Sequence, residues 1–362
     1  MSAPIQVLIV DDSVVASELL RHILESDPGI KVARCVKDGA EALAALGVMK
    51  PDVVTMDIHM PGMNGFETTR QIMETRPVPV VIVSASFDPA EVANAFNAME
   101  AGAVAALEKP RGPADPGHKE AARQLIATVK AMAGVRVVKR WPRARHAART
   151  PAAPAPERIK PAAASAGIRL VAIGASTGGP PVLQSLLAAL PKPFPLPIVI
   201  VQHISAGFSQ GLADWLTQTA GLPVAIARDG ERAEPGRAYL APDGLHLRIE
   251  KTGRLSCTAG EPENGMCPAA SCLFRSIAQN YGANAAGILL TGMGRDGADG
   301  LKLMRDAGAV TFAQDKESSI IHGMPGAAIA LNAATYILPP ERIAATLASL
   351  LSLPLNLPSQ AH

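Results

Sequence analysis

The chain has 362 residues, which at about 100–200 residues per domain predicts two or three domains, each able to bury a core. Its 34 Lys and Arg stand against 32 Asp and Glu, so net charge gives no basis for binding nucleic acid or anionic lipid, and 48% hydrophobic residues point to a folded chain. The first apolar run ends in two aspartates without a basic leader, and no run approaches the roughly 18 apolar residues of a membrane span; neither signal peptide nor membrane insertion is expected, and the cytoplasm is the expected location.

Along the first 133 residues, apolar runs at Ile5–Val10, Ile30–Cys35, Val53–Met56, Val80–Val83 and Val104–Leu107 read as strands. Helical spacing fills the gaps at Val14–Leu24, Ala40–Leu46, Phe66–Met73 and Val92–Met99, supplying the crossovers that parallel strands need. A doubly wound α/β module over residues 1–133 follows. Residues 134–167 are rich in Pro, Ala and Arg and lack either period, which predicts a linker; its basic cluster has only Trp141 as a stacking aromatic, so a solvated tether is the better reading.

The alternation restarts over residues 168–355, leaving 356–362 as a tail. Strands are expected at Leu170–Gly174, Ile198–Val201, Gly287–Thr291, Val310–Ala313 and Thr335–Leu338. Helices are expected at Val182–Leu190, Phe208–Thr219, Ala269–Tyr281, Ala298–Ala307, Pro325–Leu331 and Glu341–Leu351. His246–Glu250 and Leu255–Thr258 flank Thr252-Gly253 as a hairpin, one antiparallel excursion from a mostly parallel, Rossmann-like sheet. The four cysteines match no zinc spacing and read as free thiols.

Chemistry in open α/β sheets sits at strand ends. Asp11 and Asp12 follow the first strand and Asp57 the third, so adjacent strands would gather three carboxylates, whose repulsion calls for a cation such as Mg²⁺. Ser84 and Lys109 end the fourth and fifth strands and can hold the oxygens of a phosphoryl group on Asp57. Each alone has a plain reading, as helix cap, turn residue or solvated lysine. Together, through Asp11-Asp12, Asp57-Ile-His-Met-Pro-Gly-Met-Asn-Gly65, Ser84-Ala85 and Lys109-Pro110, the module resembles the flavodoxin-like receiver domain of two-component response regulators. That resemblance implies phosphorylation of Asp57 by a histidine kinase. One departure is the absence of an aromatic residue from Val104-Ala-Ala-Leu107, where receivers commonly carry a switch aromatic.

Ser176 lies in Gly174-x-Ser176-x-Gly178, a weak match to a nucleophile elbow by itself. His203 and Asp296 fall just after two further strands, so the three could form a triad if those strands are neighbours. Their order along the chain, Ser, His, Asp, disfavours an ordinary α/β-hydrolase. The amide of Thr177, at the start of a helix, is the expected oxyanion donor.

Through Ile173-Gly-Ala-Ser-Thr-Gly-Gly179, Gln202-His203, Gly236-Arg-Ala-Tyr-Leu-Ala-Pro242, Leu289-Leu-Thr-Gly-Met-Gly-Arg-Asp-Gly297 and Gly323-Met-Pro325, the module is similar to the catalytic domain of the chemotaxis protein-glutamate methylesterases. The resemblance implies that Ser176, His203 and Asp296 hydrolyse glutamate γ-methyl esters on chemoreceptors, with glutamine deamidation as a second activity. It also implies the Met293 amide as a second oxyanion donor and no cofactor for the ester chemistry. Cys267-Pro-Ala-Ala-Ser271 stands where the family often has Arg-Pro-Ser-Val-Asp, and Gly326 where a basic residue is common, so the groove has altered charge. Two alternatives stay open: a methylesterase-like enzyme of another sensory pathway, and a non-catalytic phospho-switched binding protein.

Overall fold

The computed structural model describes residues 3–84, 98–99, 101–135, 137 and 167–352. Most of the expected helix Val92–Met99, nearly all of the linker and the 356–362 tail lie outside the described residues.

Five strands, β1 (Ile5–Val10), β2 (Ile30–Val36), β3 (Val53–Met56), β4 (Val80–Ser84) and β5 (Ala105–Glu108), form a parallel sheet in the order β2-β1-β3-β4-β5. β3 and β4 are buried along their whole length, as strands covered on both faces must be. Three of the helices start where side chains cap them. Ser13 accepts from the Ala16 amide before Val14–Glu25, Asp38 from Glu41 before Gly39–Val48, and Asn64 from Glu67 before Gly65–Thr75. A fourth helix, His118–Ala133, was not among the expected elements. It buries Leu125, Val129 and Met132 at helical spacing, but these and the half-buried Ile126 alone interrupt a run of Ala and polar residues.

The second sheet has seven strands: β6 (Leu170–Ala175), β7 (Ile198–Gln202), β8 (Val224–Ile226), β9 (Ala238–Leu240), β12 (Ala285–Leu289), β13 (Val310–Gln314) and β14 (Tyr336–Leu338). Their order is β14-β13-β12-β6-β7-β9-β8, and every pairing is parallel. The strand order reverses beside β6, with β7, the next strand in the chain, on one side and β12, much later in the chain, on the other, and open sheets offer a binding crevice at such a point. Two expectations need revision. The hairpin β10 (His246–Ile249) and β11 (Leu255–Thr258) is a separate two-stranded sheet, not an excursion of the main one. β8 and β9 were missed because three residues are too short to display a period. Among the described residues no helix is long and apolar enough to cross a membrane.

Candidate active site

β12, β6 and β7 are neighbours, and the chain leaves all three into one crevice. The turn after β6 carries Ser176, whose amide donates to Thr291 O, just past β12, at 3.0 Å. The His203 amide, one step past β7, donates to Ala175 O at 2.9 Å. The strand ends are thus laced together by backbone before any side chain acts. Ser176 is 7% exposed and Asp296 2%, and His203 Nε2 lies 2.9 Å from Asp296 Oδ2. His203 Nδ1 is buried and has no hydrogen-bond partner among the described residues, which leaves it free to accept a proton.

Asp296 is held by more than the histidine. The amides of Ala270 and Ser271 donate to its two oxygens at 2.6 and 3.1 Å, and Asn264 Nδ2 approaches at 3.4 Å. These amides open the helix Ala270–Asn280, an end that favours an anion. Burial alone would raise the carboxyl; the His203 hydrogen bond and charge, with Ser271 and the Ala270 amide, outweigh it and bring Asp296 to about 2. Ser271 Oγ also accepts from the Gly297 amide at 2.8 Å. The 267–271 segment, singled out in sequence as a change in the groove, therefore also braces the carboxylate from behind. That role was invisible beforehand because backbone amides carry no side-chain signature.

The crevice opens into a cleft of about 540 Å³ lined by Ser176, Thr177, His203 and Met293 on one side. Neither the Thr177 nor the Met293 amide donates to a backbone acceptor among the described residues. The facing wall comes from the N-terminal module: Leu107 from β5, with Arg123 and Gln124 from the helix His118–Ala133. Ile320 and Ile321 of the C-terminal module also pack against the N-terminal core. Cys267, at the position where the resembled family often has a cation, and Met266 add an uncharged rim.

The N-terminal cluster assembles at the β1–β3 edge. Carboxylate oxygens of Asp11, Asp12 and Asp57 all lie within 4.8 Å of one another. Lys109 Nζ sits 2.8 Å from Asp11 and 3.2 Å from Asp57. Burial raises Asp57 despite the opposing Lys109 charge, and Asp11 adds to the rise. Burial would lower Lys109, yet its bonds and charge contacts with the two aspartates raise it. Ser84 is 2% exposed and its hydroxyl has no partner among the described residues. Three clustered carboxylates are the donor set of a hard divalent cation, so the residues fit one.

Residues 171–347 match the CheB methylesterase family and residues 7–116 the response regulator receiver domain family. A protein-glutamate methylesterase/protein-glutamine glutaminase of Nitrosospira multiformis is 52% identical over 353 residues, covering 96% of this chain and 97% of its own. Another, from Geobacter metallireducens, is 52% identical over 347 residues, covering 96% and 99%. The crystal structure of the Thermotoga maritima CheB methylesterase catalytic domain is 37% identical, covers 51% of this chain and 99% of its own, and aligns with a TM-score of 0.49.

Proposed function

The chain belongs to the CheB methylesterase family, and from that membership we propose that it is a phosphorylation-regulated protein-glutamate methylesterase acting on chemoreceptors, which also deamidates receptor glutamines. We assign residues 1–133 to the receiver, 134–167 to a linker, 168–355 to the catalytic domain and 356–362 to a tail. The enzyme works in the cytoplasm.

Ser176 Oγ attacks the ester carbonyl while its proton passes to His203 Nδ1. The Thr177 and Met293 amides receive the oxyanion. Collapse of the tetrahedral intermediate breaks the bond to the methoxy oxygen, and the His203 proton leaves with methanol. Water then enters, gives a proton to His203 and attacks the glutamyl-serine ester, releasing glutamate and restoring the serine hydroxyl. Asp296 stays anionic throughout and stabilises the imidazolium. An amide substrate follows the same course with ammonia as leaving group.

In the receiver, a carboxylate oxygen of Asp57 attacks the phosphorus of a phosphohistidine on the kinase, whose imidazole leaves. Asp11, Asp12 and Asp57 would hold a divalent cation such as Mg²⁺, which would supply charge neutralisation for the phosphoryl oxygens. Ser84 and Lys109 bind the phosphoryl oxygens. Receiver residues across the cleft from Ser176 support a masked resting state that phosphorylation relieves.

The observation that carries this reading is the His203–Asp296 contact one strand away from Ser176, in a cleft open to a protein side chain. It is tested by methanol release from methylated receptor with and without a small phosphoryl donor. Release accelerated by the donor is expected; no release in either condition rejects the reading.

A further inference from the structure

We infer that Gln202 is a positioning residue for this triad, tying nucleophile and base together from beneath; the inference rests on the hydrolase reading above. Gln202 ends β7 opposite Ala175, the last residue of β6, so the residues before Ser176 and before His203 face each other across the ladder. Its side chain is 4% exposed. The Nε2 group donates to Ser176 O at 2.8 Å and to His203 O at 2.8 Å.

Both acceptors are carbonyls, so only the NH₂ end of the amide can serve them and the orientation of the group follows from its surroundings. One planar group spends both hydrogens on the backbones of two triad members. The opposite end makes no compensating bond: Oε1 is buried without a partner among the described residues. A buried acceptor left unpaired is unfavourable, so the side chain is not there to satisfy itself. Room for it is made by Gly179, where a Cβ would come within 2.0 Å of Oε1.

Gln202 acts through Ser176 and His203 and transfers no proton. Its effect belongs in the chemical step, because the hydroxyl-to-imidazole distance governs proton transfer, and an error of about 1 Å there costs on the order of 10²-fold.

The experiment uses the full chain, with methylated receptor as substrate and acetyl phosphate with Mg²⁺ as donor. Gln202→Leu keeps the volume and removes both donors; kcat is expected to fall about 10–10²-fold with KM within about twofold of the parent. Gly179→Ala pushes the side chain out from the other direction and should lower kcat likewise. It also serves as the independent variant if Gln202→Leu does not fold. In the double variant Gly179→Ala, Gln202→Ala the 2.0 Å contact with Oε1 is gone and only the 3.0 Å approach to Ala175 Cβ remains, so the rate should stay close to that of Gln202→Ala alone. Unchanged kcat in Gln202→Leu, a rise in KM alone, or equal losses from Gly179→Ala with and without Gln202 would overturn the inference. Failure of the unmutated chain to release methanol would instead remove the hydrolase reading.

Discussion

His203 meets Asp296 through Nε2, 2.9 Å from Oδ2, which leaves Nδ1 as the nitrogen that can take the Ser176 proton. In the chymotrypsin-type triad the two nitrogens hold the opposite posts. An anionic partner keeps the proton on Nε2 and the lone pair on Nδ1. An Asn at 296 can turn its NH₂ to Nε2 and reverse that tautomer, so Asp296→Asn is expected to lower turnover about 10⁴-fold, and Ser176→Ala about 10⁵–10⁶-fold. Methanol release measures both; near-normal turnover in Ser176→Ala rejects the nucleophile.

Asp296 also predicts a pH signature in stability. Its carboxyl lies near 2 in the fold, below its ordinary value of 3.8. A depressed carboxyl contributes stability that is present above the ordinary value and disappears as pH falls toward 2, here about 2 kcal/mol. Urea unfolding of the unmutated chain should therefore lose more stability between pH 5 and about pH 2 than that of Asp296→Asn, with the other carboxylates common to both. Parallel curves would contradict the assignment.

The receiver cluster makes a separate prediction. Asp57 sits with Asp11 and Asp12 and within 3.2 Å of Lys109. Asp57→Asn removes the proposed phosphoryl acceptor, so the ratio of methanol release with and without acetyl phosphate and Mg²⁺ should fall to one. Moving a switch from 1:99 to 99:1 takes about 5.5 kcal/mol of preference, which a phosphoryl group on Asp57 would have to supply. A ratio unchanged from the parent would discard Asp57 as acceptor.

Because Leu107, Arg123 and Gln124 wall the cleft opposite Ser176, a fragment beginning at Gly167 is expected to turn over receptor faster than the unphosphorylated full chain. A slower fragment would show that the receiver does not mask the site.

Gly292 packs directly against Ser176: a Cβ there would come within 2.7 Å of Ser176 Cβ and 2.2 Å of Met324 Sδ. Gly292→Ala should cost about 1–3 kcal/mol of stability by overpacking and displace Ser176. Thermal melting and turnover should fall together; a fully active, fully stable variant would contradict that packing.

Much of this was legible beforehand. Five apolar runs alternating with helical spacing dictated the doubly wound receiver, and the positions of Asp11, Asp57 and Lys109 directly after strands told which edge would hold them. The helix His118–Ala133 was less visible, because Leu125, Val129 and Met132 are its only buried residues.

Residue identity and spacing put a serine, a histidine and an aspartate just past three buried strands, and the resemblance of the motifs around them gave the class of chemistry. What tertiary structure decided was adjacency: β6 between β12 and β7, the ring nitrogen each partner takes, the helix amides at Asp296 and the receiver wall across the cleft. Local pattern reports which face of an element is apolar. It carries nothing about which elements pair or where backbone donors converge, because those follow from packing between residues distant in the chain.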